Sequence, residues 1–187
     1  MHKFNIKSIE KLDNEERRKS MPPEETLLKF GIEDDGDLLD VGCGIGYFTI
    51  PAARLLRSNR AIGIDIIPEM IDIAKIKATD IDNIEFKVSG EYSFTVENYS
   101  MKYVLISNVI HEIEDKIKYL NEVKRVLKEN GYFLIIDWEK REMKMGPPVY
   151  ERISKDEMIE LCKKAGFITI ESIKASPNHY GLKLKNK

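Results

Sequence analysis

The chain has 187 residues, a length that fits one domain and allows roughly 70% of the unfolded surface to be buried. Its apolar share of 42% suits a folded globular protein, and a net charge of −2 argues against a wholesale nucleic-acid binder. No run reaches the ~18 apolar residues of a membrane span, and residues 1–19 are too polar for a secretory signal. Cys43 and Cys162 lack metal-ligand spacing, so a reducing, cytoplasmic location is the expectation.

Residues 13–30 read as helical, broken at Met21-Pro22-Pro23, with Gly31 as a stop. A short apolar strand covers 37–41, and a helix follows over 48–56. The second strand spans 61–65, and Pro68 opens a second helix carrying Met70, Ile71, Ala74 and Ala78 at helical spacing. Strand three covers 84–88, a polar loop 89–101, and strand four 103–107. Asp115 caps a long helix whose expected stripe is Ile117, Leu120, Val123 and Leu127, ending at Asn130-Gly131 before strand five over 132–137. A charged connection with Gly146-Pro147-Pro148 leads to the capping box Ser154-Lys155-Asp156-Glu157 and a helix that stops near Gly166. Two alternating strands, 167–173 and 180–185, close the chain. Strand–helix alternation with apolar strands predicts a parallel sheet covered on both faces. The short link between the last two strands demands an antiparallel hairpin at one edge.

In such a sheet the ligand sits beyond the carboxyl ends of the strands, beside strand one. Strand one ends in Asp40-Val41-Gly42-Cys43-Gly44-Ile45-Gly46, where glycine permits a sharp turn and close approach of a ligand. The spacing is G-x-G-x-G. Tyr47 stands where the third glycine of the G-x-G-x-x-G dinucleotide fingerprint would fall, so a nicotinamide-dependent oxidoreductase is a lesser alternative. Asp65 ends strand two, where an acid can accept both hydroxyls of a ribose, or instead cap the next helix. Ser89-Gly90-Glu91 ends strand three and Ser107-Asn108 ends strand four.

The glycine turn, together with Gly63-Ile64-Asp65-Ile66-Ile67-Pro68-Glu69-Met70, resembles the class I S-adenosylmethionine-dependent methyltransferases. It is most similar to the group related to ubiquinone/menaquinone-biosynthesis methyltransferases. Residues 107–113 and 122–131 share that likeness, which covers roughly residues 20 to 174. The resemblance implies a Rossmann-like, doubly wound, mostly parallel seven-stranded sheet, with residues 1–31 as a helical cap or lid. It implies S-adenosyl-L-methionine as cofactor, S-adenosyl-L-homocysteine as product, and a small-molecule acceptor. Gly42, Gly44 and Gly46 would approach the methionine moiety and Asp40 would orient its amino group. Asp65 would hold the ribose, and Ile66 and Met70 would flank the adenine. The acid expected after strand three falls one residue late, at Glu91 behind Gly90.

His111, just past strand four, is the candidate general base for an acceptor that must lose a proton. The sequence His111-Glu112-Ile113 is not H-E-x-x-H, because residue 115 is Asp, so no zinc site is expected. Trp138 and Glu139 either line an acceptor pocket or pack under the long loop. Cys43 reads as a small residue in the turn rather than a nucleophile. Residues 15–19 are either a solvated helix face or part of a lid. A homo-oligomer is compatible with the sequence, nucleic acid is an unfavoured substrate, and a cofactor-binding module without turnover is the main rival to an enzyme.

Overall fold

The structure, a computed structural model, describes residues 12–187. Two short helices come first, α1 (Glu15–Ser20) and α2 (Pro23–Lys29). Then follow β1 (Leu38–Val41), α3 (Thr49–Leu55), β2 (Ala61–Asp65), α4 (Pro68–Lys77), β3 (Ile84–Val88) and β4 (Met101–Ser107). The chain finishes with α5 (Lys116–Val126), β5 (Leu127–Trp138), α6 (Lys155–Lys164), β6 (Phe167–Ser176) and β7 (His179–Asn186).

The seven strands form one sheet in the order β3-β2-β1-β4-β5-β7-β6. The first five run parallel, and β7 lies antiparallel between β5 and β6. This is the Rossmann-like, mostly parallel sheet that the strand–helix alternation and the family resemblance predict, with the antiparallel C-terminal hairpin expected from the short last link. Every residue of β1 and β2 is buried, as continuous apolar strands require, whereas β3 is half-exposed because it forms an edge. Leu39, Val41, Ile62 and Ile64 pack on one face with Leu120 and Val123 of α5 and Met158 and Cys162 of α6. Leu38, Ala61, Tyr103 and Leu105 pack on the other with Leu27 of α2 and Ala52 and Ala53 of α3. At roughly 25 cal/mol per Å² of apolar surface removed from water, these two layers supply most of the drive to fold.

Two expected elements move. Helix α5 ends at Val126, and its buried stripe is Tyr119, Leu120, Val123 and Val126, while Ile117 is 39% exposed. Leu127 leaves the helix because it pairs with Met101, and the next registered pair is Tyr103 with Tyr132, so residues 128–131 bulge out between them. The final hairpin is longer than its alternating core, with only Pro177-Asn178 between β6 and β7. The predicted capping box on α6 is present: Ser154 N donates to Glu157 Oε2 at 2.8 Å, and Glu157 N donates to Ser154 Oγ at 3.3 Å.

The topology fixes where a ligand can sit. The chain steps from β1 outward to β2 and β3, then returns to place β4 on the other side of β1. Crossovers therefore leave β1 and β4 in opposite directions, which opens a crevice at their carboxyl ends.

Candidate active site

That crevice is a cavity of about 630 Å³. Its floor is the turn after β1, tied to the neighbouring strand by Gly42 N and Cys43 N, which donate to Ile64 O at 2.8 and 3.0 Å. Gly42 has φ +71°, and a Cβ there would come within 2.5 Å of Val109 Cγ2, so the segment after β4 closes directly on this turn. Gly44 has φ +53° and no atom near its absent Cβ except Leu12 Cδ1 at 3.6 Å, which leaves its face open to the cavity.

Two carboxylates bracket the floor. Asp40 is 2% exposed, and its Oδ2 accepts a 2.6 Å hydrogen bond from Thr49 Oγ1 at the start of α3. Burial, reinforced by the nearby charge of Asp65 and opposed by the Thr49 hydroxyl, pushes the Asp40 carboxyl up to about 7. Asp65, at the end of β2, accepts from Gly44 N at 2.9 Å and from Ile67 N at 3.0 Å. Burial raises it as well, against those two backbone donors. Ile66 and Met70 follow on the same wall, Ile66 exposed and Met70 buried. Gly90 and Glu91 after the neighbouring β3 also line the cavity.

The ends of β4 and β5 form the remaining wall. Ser107 pairs with Ile136, so Asn108 and Asp137 emerge side by side. Asn108 has φ +58°, an uncommon conformation that asparagine tolerates better than most residues. Its Oδ1 and the Ser107 Oγ are buried without a hydrogen-bond partner, and both residues line the cavity. His111 lies in a short 3₁₀ turn, Ile110–Glu112, and its Nδ1 is 2.8 Å from Asp137 Oδ1. Burial alone would lower the His111 pKa. The hydrogen bond and charge of Asp137, with Glu112 and Glu151, outweigh it and raise the value above that of a free histidine.

Above the floor sits the N-terminal segment. Leu12 and Arg17 line the cavity, and the Arg17 guanidinium lies 4.0 Å from the Tyr47 ring centroid. Asp13 anchors this segment by ion pairs to Arg18 and to Lys77 of α4. These ion pairs hold Asp13 down at about 2: the Arg18 hydrogen bond is the largest cause, burial opposes it, and Lys77 adds to it.

A methyltransferase domain model matches residues 32–180 of this chain. The chain belongs to the class I S-adenosylmethionine-dependent methyltransferases. The crystal structure of a SAM dependent methyltransferase from Aquifex aeolicus superposes with a TM-score of 0.91 at 29% identity, covering 97% of this chain and 98% of that one. The ubiquinone/menaquinone biosynthesis C-methyltransferase UbiE of Citrifermentans bemidjiense is 31% identical over 116 residues, 60% of this chain and 49% of that protein. The ribosomal protein L11 methyltransferase of Dictyoglomus thermophilum is 30% identical over 146 residues, 78% of this chain and 46% of that protein. The chain thus spans about half the length of the curated relatives it matches.

The cavity of this chain fits a cationic, partly apolar cofactor. It offers two buried carboxylates, an apolar strip at Ile66 and Met70, the open face of Gly44, and two buried polar oxygens that lack partners. Among the described residues lining it, Arg17 is the one lysine or arginine. Of the residues singled out in the sequence, Asp40, Gly42, Cys43, Gly44, Asp65, Ile66, Met70, Gly90, Glu91, Asn108 and His111 all line the cavity. Gly46 does not: a Cβ there would meet Ile50 Cδ1 and Phe86 Cζ at 3.1 Å, so it packs the turn onto the core. Cys43 reaches the cavity wall but is buried with Phe86 and Ile71, and burial raises its thiol well above the ordinary value, as suits a packing residue.

Trp138 does not line the cavity. Its ring lies 4.0 Å from that of His179, and a Cβ on Gly146 would come within 2.9 Å of it, so it packs under the 139–152 loop. That loop is held by Arg152, which is 3% exposed. The Arg152 guanidinium donates to the carbonyls of Pro147, Glu139, Arg141 and Met145 at 2.7–3.2 Å. Residues 1–11 of the expected N-terminal lid lie outside the described residues. Asp137, beside the cavity, and the loop-holding Arg152 are residues that pattern reading missed, whereas Arg17 belongs to the 15–19 segment read as a solvated face or part of a lid. For Asp137 the available signal was an acid closing an otherwise apolar strand at the level of Ser107-Asn108. Among the described residues, no helix is long and apolar enough to cross a membrane, and no cluster of three His, Cys, Asp or Glu could hold a metal ion.

Proposed function

We propose that this chain transfers a methyl group from S-adenosyl-L-methionine to a small-molecule acceptor by in-line displacement. The observation that carries this reading is the juxtaposition, in one cavity at the β1/β4 crevice, of the buried Asp40 and Asp65 carboxylates with the unpartnered Asn108 and Ser107 oxygens. A cavity of about 630 Å³ falls in the range of small-molecule sites.

The bound cofactor supplies an already activated methyl group, so the chain's task is alignment and exclusion of water. Asp40 holds the cofactor's ammonium group, Asp65 accepts from the ribose hydroxyls, and Ile66 and Met70 flank the adenine, with Glu91 available to its amino group. The open face of Gly44 admits the methionine moiety. Leu12 and Arg17 cover the bound molecule from above. Fixing the reacting partners in line can supply roughly 7–11 kcal/mol of the barrier reduction. His111 stands at the acceptor side as the group that takes a proton where the acceptor has one to lose.

The test is turnover. The chain is incubated with methyl-labelled cofactor and a broad panel of small phenols, amines, thiols and carbon acids, and S-adenosylhomocysteine formation is followed. Acceptor-dependent product supports the proposal. Tight cofactor binding with no product across the panel favours a binding module that acts through a partner.

A further inference from the structure

His111 occupies a neck between two spaces. It lines the cofactor cavity and also a second groove of about 590 Å³, bounded by Lys116, Lys140, Tyr150 and α6. Glu151 is the other residue common to both. The His111 side chain is 3% exposed, and that of its partner Asp137 is 1% exposed. Asp137 Oδ1 takes both the His111 ring contact and a 2.8 Å bond from Trp138 N, while Oδ2 is buried with no partner. A carboxylate oxygen only accepts, so the shared proton of the ring contact belongs on Nδ1. Nε2 is then the basic nitrogen, 3.7 Å from Glu112 Oε1.

We infer that Asp137 is a positioning residue for the proposed methyl transfer: it fixes the proton of His111 on Nδ1, so that Nε2 receives the proton of an acceptor whose reacting group is a hydroxyl or an amine N–H. This rests on the methyltransferase reading of the cavity. The acceptor's oxygen or nitrogen forms its bond to the transferred methyl, and the methyl–sulfur bond breaks with its electron pair left on sulfur. The acceptor's proton moves to Nε2 and leaves through the groove. Ordering the imidazole by a buried carboxylate is a general way to select one tautomer and to stabilise the imidazolium that forms.

The charges that face His111 agree with this role. They are Asp137 on β5, Glu112 on its own turn, Glu151 on the 139–152 loop, and Lys116 and Lys140 across the groove. His179 on β7 is buried and held neutral, lowered to about 3 first by burial and then by Arg17, Arg152 and His111. The loop that carries Glu151 is held by the four carbonyl contacts of Arg152.

The experiment is ¹⁵N NMR of the histidine rings, titrated separately in complexes with S-adenosylmethionine and S-adenosylhomocysteine. The two ligands differ by the methyl and the positive charge on sulfur. The expected result is a wild-type His111 with its proton on Nδ1 and a pKa at least half a unit lower in the S-adenosylmethionine complex. In D137N the pKa falls further in both complexes, and Asp137→Glu restores part of the difference. A His111 that titrates alike in the two complexes lies too far from the sulfonium to serve the reaction; that result, or a proton on Nε2 in the wild type, overturns the inference. Calorimetry on the same samples separates the two claims, because absent cofactor binding is a failure of the methyltransferase reading itself. Methyl transfer to 4-nitrophenol, benzylamine and thiophenol then reads the acceptor class. Product from the phenol or the amine, cut at least tenfold in kcat by D137N with cofactor affinity within twofold, is expected. Product from thiophenol alone overturns the proton-accepting role.

Discussion

With Asp40 holding the cofactor's ammonium group as proposed, cofactor binding is expected to release a proton. In the free chain its pKa is raised from 3.8 to about 7, chiefly by burial. A cationic ligand group placed against it favours the ionised form, so binding must drive the proton off. Below pH 7 each pH unit then costs about 1.4 kcal/mol of affinity, and between pH 8 and pH 5 binding weakens by about 100-fold. The assay is calorimetric titration with S-adenosylhomocysteine across that range, repeated at pH 6 in two buffers of different ionisation heat, where about one proton should be released. In Asp40→Asn the Thr49 contact can persist but this component of the slope vanishes. The same group sets a stability trend. Its folded pKa lies above its unfolded value, so its contribution is full below about 4 and is lost as pH rises through about 7, up to roughly 4 kcal/mol. Cofactor-free Tm should therefore fall less between pH 5 and 8 in Asp40→Asn than in wild type. A wild-type affinity that changes less than about threefold over pH 5–8, or a slope retained in Asp40→Asn, would refute the reasoning.

Three further substitutions probe the frame around the cavity. Asp65→Ala should weaken S-adenosylhomocysteine binding at least tenfold, because it removes the ribose acceptor and frees the Gly44 and Ile67 amides; an unchanged Kd removes the ribose assignment. Gly42→Ala combines a left-handed backbone with a clash against Val109, and should cost about 2–4 kcal/mol in denaturant unfolding. Part of that cost should return in the Gly42→Ala/Val109→Ala pair. Arg152→Met strips four loop carbonyls of their donor, and should destabilise by about 3 kcal/mol or release the loop. Limited proteolysis should then cut within residues 139–152, and a variant as resistant as wild type would contradict the clamp.

Local chemistry made much of this fold legible. Leu38–Val41 and Ala61–Asp65 are apolar runs buried on both faces, and the Ser154–Glu157 box names its own helix start. The glycine turn and Asp65 are legible for the same reason, since a strand end, a positive φ and an acid at the next strand tip are short-range features. What escaped depends on contacts between distant segments. Leu127 continues a helical pattern and joins β5 only because Met101 pairs with it. Gly46 looks like its neighbours in the motif, yet Phe86, 40 positions away, decides that it packs inward. Asp137 gains its meaning from His111 in the turn after the adjacent strand, and Arg152 from carbonyls up to 13 residues before it. Trp138 was open to two readings, and the Gly146 loop lies on it as the packing reading expects.

The central claim is that the crevice between β1 and β4 binds S-adenosylmethionine. The most direct measurement is a calorimetric titration of the chain with S-adenosylhomocysteine at pH 8, with NADH titrated in parallel. The account predicts one site per chain for S-adenosylhomocysteine, weakened in Asp65→Ala and proton-linked through Asp40, and no binding of NADH. Absence of S-adenosylhomocysteine binding, or binding of NADH in its place, would contradict it.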